Sequence, residues 1–121
     1  MDKIINFLIV GLGGAAGSML RYGITLLSAA LNLSGNLATF SANVIGSFLI
    51  GLFTGCCKDG TLMLLLTVGL CGGFTTFSTF SLQSVRLLQA GKFGEAALYI
   101  GASLAVCMAA AWLGYYIGRN R

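Results

Sequence analysis

The sequence has 121 residues, which is enough for one domain. Apolar residues make up 57% and charged residues 8%, with seven Lys and Arg, three Asp and Glu, and neither His nor Pro. A soluble domain carries about 25% charged residues to hydrate its surface. A mean hydropathy of +0.92 therefore excludes that class and makes lipid the main solvent.

A hydrocarbon layer about 30 Å thick takes roughly 20 helical residues to cross, so the chain has room for four spans and little else. The first predicted span, 4–28, carries a single charge, Arg21. It is too long, and followed by too many similar runs, to be a cleaved signal. Asn32 to Asn36, with Ser34 and Gly35, reads as a turn. The second span, 37–57, is uncharged and stops at Lys58-Asp59-Gly60. The third, 61–88, has Arg86 near its end and is followed by Ala90-Gly91-Lys92; the fourth, 94–117, is closed by Arg119 and Arg121. Both termini then lie on one side. Lys3, Lys58, Arg119 and Arg121 share that side, whereas Arg86 and Lys92 lie opposite, with Arg21 near that end. This bias is too weak to fix an orientation and suggests insertion both ways, and so an antiparallel dimer.

Three pairs of glycines, Gly13 and Gly17, Gly51 and Gly55, and Gly114 and Gly118, recur at four-residue intervals. In lipid, helices associate through close backbone approach at such small residues. Most of these pairs are expected to pack within one bundle, and some to meet a second subunit. Gly11-Leu12-Gly13-Gly14-Ala15-Ala16 approximates a dinucleotide fingerprint, but that motif needs an acidic residue about 20 positions on, and none occurs between Asp2 and Asp59. Cys56, Cys57, Cys71 and Cys107 have no C-x-x-C spacing and no His to join them, so they read as small apolar fillers rather than zinc or redox ligands. The scattered cations give no nucleic-acid surface.

The segment from Gly72 to Ser81, GGFTTFSTFS, carries the most chemistry. Two glycines can open a helix, and Thr75 or Thr76 can cap its restart. Unwound backbone at membrane depth survives only where protein, water or an ion satisfies it. The first half-helix ends in carbonyls with a partial negative charge, which suits a small hard cation; the plain alternative is a packing kink. Phe77 and Phe80 share one face after the restart, with Ser78 and Thr79 beside them. A phenyl ring has a positive edge that touches an anion without gripping it as a Lys would; ordinary apolar packing is the alternative here.

At about 1.5 Å per residue, Asn43 and Tyr99 fall roughly 10 Å inside the far surface. Ser103 lies one turn deeper than Tyr99, Phe77 and Phe80 occupy the same half, and Arg21 stands near its mouth. Asn43, Ser78, Thr79, Tyr99 and Ser103 are neutral hydrogen-bond donors. A proton-coupled cation carrier needs a carboxylate within the membrane, and a cation pore needs rings of carboxylates or carbonyls. Neutral donors, ring edges and one Arg favour an anion. No acid–base or nucleophile constellation marks an enzyme.

These residues resemble the Fluc/CrcB fluoride channels over essentially the whole chain. The agreement covers Gly13-Gly14-x-x-Gly17 leading to Arg21-Tyr22, Asn43-x-x-Gly46-Ser47-Phe48, and Gly72 to Ser81. The resemblance implies an all-α membrane protein of four transmembrane helices, the third broken mid-membrane. It also implies a dual-topology antiparallel homodimer in lipid, in the bacterial inner membrane, that passively exports fluoride. It assigns Asn43, Phe77, Phe80, Ser78, Thr79, Tyr99 and Ser103 to the ion pathway and Arg21 to its vestibule. A structural sodium ion at the dimer centre is implied on the backbone carbonyls of Gly72 and Thr75. Gln83 departs from a frequent Glu, and Cys107 from a common hydroxyl residue. The alternatives are a small multidrug-type transporter, which needs a Glu in the first span that this chain lacks, and a non-transporting structural subunit, which ion flux by the protein alone would exclude.

Overall fold

The computed structural model describes residues 2–120, so Arg121 lies outside the described residues. Helix α1, Asp2–Ala30, ends in a turn in which Asn32 adopts a left-handed φ of 60°, a conformation Asn tolerates better than most residues. Helix α2, Gly35–Cys56, starts on Ser34, whose hydroxyl accepts the Leu37 N–H at 3.1 Å. Asp59 caps the next start in the same way, accepting the Thr61 N–H at 3.0 Å. The third span runs from Gly60 to Gln89 in four pieces: α3 (Gly60–Met63), a π-helical stretch (Leu64–Cys71), α4 (Gly72–Phe74) and α5 (Phe77–Gln89). A turn through Gly91 at φ 78° leads into α6, Phe93–Arg119. Among the described residues, four helices are thus long and apolar enough to cross a membrane.

The chain packs as two parallel pairs. Gly13 faces Leu65 and Gly69, and Gly17 faces Leu70 and Gly73, so α1 runs alongside the third span in the same direction. Likewise Gly51 faces Ala111 and Gly55 faces Tyr115, while Gly114 and Gly118 receive Phe48 and Leu52, which makes α2 and α6 parallel neighbours. These three glycine pairs are therefore used inside this chain. The expected contribution of such faces to a second subunit is not needed to explain them.

The interior is correspondingly small-grained. Ala38, Ala42, Cys71 and Ala96 are buried, and among the described residues only Phe74 and Phe80 are large apolar core residues. Large side chains such as Phe7, Leu12, Leu98 and Trp112 point outward. Acyl chains solvate apolar surface as well as a protein core does, so nothing drives these side chains inside.

Candidate functional site

The site is built around the interruption of the third span. The glycine doublet does not unwind the helix, contrary to the sequence expectation. Gly72 keeps right-handed helical dihedrals (φ −61°, ψ −39°), and the backbone becomes extended at Thr75 (φ −88°, ψ 159°) and Thr76 (φ −149°, ψ 120°). The physical reason is packing. Gly73 lies against the Gly14 backbone, where an added Cβ would come 2.5 Å from the Gly14 carbonyl oxygen. The doublet serves close approach rather than freedom of φ.

Side chains then redirect the backbone hydrogen bonds at this point. In an uninterrupted helix the Thr76 N–H would donate to the Gly72 carbonyl. It donates instead to Asn43 Oδ1 at 2.7 Å, while Asn43 Nδ2 donates to the Thr76 carbonyl at 3.0 Å. Thr76, not Thr75, caps α5: its Oγ1 accepts the Thr79 N–H at 3.2 Å, which diverts that donor from the Thr75 carbonyl. The carbonyls of Gly72 and Thr75 are thereby released from their regular helical donors. Thr75 Oγ1 meanwhile donates to the Cys71 carbonyl at 3.0 Å.

Arg21 reaches from α1 to the third span just before the interruption. Its Nε donates to the Gly73 carbonyl at 3.2 Å, with Ser18 Oγ at 3.5 Å from the same oxygen. A guanidinium here neutralises the negative end of the half-helix dipole. Arg21→Met is expected to lower stability by roughly 1–2 kcal/mol, read as a lower unfolding midpoint in detergent; an unchanged midpoint would remove this capping role.

Beside the interruption lies a cavity of about 270 Å³ bounded by α2, the third span and α6. Asn43, Phe77, Phe80 and Ser103 line it, together with Gly72 and Thr75. Phe80 is buried, with its ring centroid 5.4 Å from that of Phe77 and 5.2 Å from that of Tyr99, both tilted. Tyr99 stands behind Phe80 rather than in the cavity wall, and its hydroxyl donates to Gln83 Oε1 at 2.6 Å. Ser78 and Thr79 are not brought into the lining either; they form a local hydroxyl cluster with Thr76, at 3.2 and 3.3 Å. Ser103 differs from all of these, because its Oγ is buried and has no hydrogen-bond partner among the described residues. Leaving such a hydroxyl unpaired costs about 1–3 kcal/mol. Cys107, which departs from a common hydroxyl residue, also faces the cavity, as does Ser47, to which the sequence gave no pathway role.

Comparison with known proteins decides the family. The family described as CrcB-like protein, Camphor Resistance (CrcB), matches residues 8–115. The chain belongs to this CrcB-like family. A relative from Ruminiclostridium cellulolyticum is 45% identical, aligned over 99% of this chain and 97% of its own length. A relative from Thermus thermophilus is 44% identical over 93% and 94%, and one from Agrobacterium fabrum is 42% identical over 97% and 98%. Each of the three is named a fluoride-specific ion channel, FluC. Family membership and four helices able to span lipid make this a multi-pass membrane protein.

Proposed function

We propose that the chain is a fluoride-selective channel, acting as an antiparallel dual-topology homodimer in the bacterial inner membrane. It moves an ion passively and makes or breaks no bond, so it is not an enzyme. Relatives that share its length and more than two-fifths of its residues carry the name of that activity. The observation that carries the reading is the unpartnered Ser103 hydroxyl, buried beside Phe77, Phe80 and Asn43. Buried hydroxyls are nearly always hydrogen-bonded, and an ion passing through the cavity is an acceptor that would complete this one.

Fluoride suits this lining. It is small and strongly hydrated, and a pore must replace water's hydrogen bonds without holding the ion too firmly for release. A hydroxyl, a carboxamide and ring edges supply donors of graded strength and no fixed positive charge. Ser78, Thr79 and Tyr99 extend the polar track in this reading, and Arg21 raises the local potential for anions. Inside the cell a weak acid such as HF ionises and its anion is trapped; a passive pore releases it.

The released carbonyls of Gly72 and Thr75 fit a sodium ion, since a hard cation takes uncharged oxygen ligands. Bound there, sodium supplies a fixed positive charge that ties the interruption together. The chain's own part is to hold those carbonyls away from helical donors.

The purified protein in liposomes is expected to release fluoride, measured with a fluoride electrode, and not chloride, with sodium varied. Folded protein that passes no fluoride overturns the proposal.

A further inference from the structure

We infer that Asn43 is the positioning residue of the third-span interruption, fixing Thr76 in its extended conformation and so keeping the Gly72 carbonyl free. The carboxamide presents an acceptor oxygen and two N–H donors in a fixed plane. The oxygen and one N–H are spent on the main chain of one residue, Oδ1 on the Thr76 N–H at 2.7 Å and Nδ2 on the Thr76 carbonyl at 3.0 Å. This is the pairing that a neighbouring β-strand would offer, supplied by a side chain from α2. An extended residue between two helices has lost the local partners a helix provides, and lipid offers none in their place. No other side chain makes a hydrogen bond to the Thr76 main chain among the described residues.

The consequence reaches beyond Thr76. Asn43 also lines the cavity beside Phe77 and Phe80, so a single side chain touches the anion route and sets the backbone that releases the carbonyls. An effect of Asn43 substitution on flux is then partly an effect on the third span. The neighbouring Phe80 touches the cavity without bonding the Thr76 backbone, which makes it the proper control.

The test measures amide hydrogen exchange at Thr76 in sodium-free detergent solution, and separately the sodium concentration that raises the unfolding midpoint. Asn43→Leu removes both hydrogen bonds, and its Thr76 exchange rate is expected to change by roughly tenfold or more. Its sodium requirement rises whether the Thr76 N–H swings back to Gly72 or stays loose. Asn43→Asp keeps an acceptor for the Thr76 N–H but loses the donor to the Thr76 carbonyl, and is expected to exchange at a rate between those of the parent and Asn43→Leu. Phe80→Ile leaves exchange unchanged although flux falls. If Asn43→Leu folds and exchanges at the parent rate, the inference is overturned, whatever happens to flux. The sodium arm rests on the channel reading above. Altered exchange without any sodium response in the parent protein supports the positioning role and counts against the sodium site alone.

Discussion

Phe80→Ile is expected to slow fluoride efflux from proteoliposomes by roughly 10- to 100-fold while leaving the unfolding midpoint close to that of the parent. The ring is buried and sits between Phe77 and Tyr99, with centroids 5.4 and 5.2 Å away. Isoleucine is apolar and of similar bulk, so the site keeps most of its packing. It loses the ring's positive edge, the feature that meets an anion. A contact worth about 1.4–2.8 kcal/mol corresponds to that range, at 1.4 kcal/mol per factor of ten. Efflux at the parent rate would mean that the ions do not pass Phe80. Efflux lost together with a large fall in the midpoint would make the ring a packing element instead.

The architecture was open to reading from the sequence because lipid is a strict solvent. Each crossing must be a long apolar helix, and the connections carry their own marks. Ser34 and Asp59 stand where helix starts need a side-chain acceptor, and they accept from Leu37 and Thr61. The interruption was harder to locate. Gly72 and Gly73 looked like its cause, yet the same lack of a side chain also permits contact with Gly14; local sequence does not distinguish these uses. The extended residues are Thr75 and Thr76.

The hydroxyls beside the interruption illustrate a second difficulty. Ser and Thr near a helix start serve their own backbone readily, and Ser78 and Thr79 join the cap cluster of Thr76. Depth arithmetic could not reveal this, because it places Cα atoms and not hydrogen bonds. The contact made by Arg21 was hidden for a related reason. Its Cα lies well along α1, but a long side chain carries its charge far from that level, here to the Gly73 carbonyl. The pairing of Asn43 with Thr76 spans 33 positions and two helices, and no periodicity within either helix encodes it.

Replacing Gly17 by Ala is expected to destabilise the fold severely, whereas Gly23→Ala on the same helix should be tolerated. Both glycines lie within α1, Asp2–Ala30, so helix propensity treats them alike and favours Ala by about 1 kcal/mol at each. Packing separates them. A methyl group at Gly17 would overlap the Leu70 carbonyl oxygen and come 2.7 Å from the Phe74 nitrogen, whereas nothing lies within 4 Å of one at Gly23. The atoms that would have to yield are main chain, in the segment leading to Thr75, and cannot swing aside as a flexible side chain would. Forcing α1 away from the third span would cost about 3 kcal/mol or more, at the upper end for overpacking. It would also pull Arg21 from the Gly73 carbonyl, since both contacts belong to one helix face. Thermal unfolding in detergent, read beside the yield of folded protein, distinguishes these expectations. A Gly17→Ala protein as stable as Gly23→Ala would mean that α1 does not lean on the third span at Leu70 and Phe74, and the close-packed pairing on which the interruption rests would have to be abandoned.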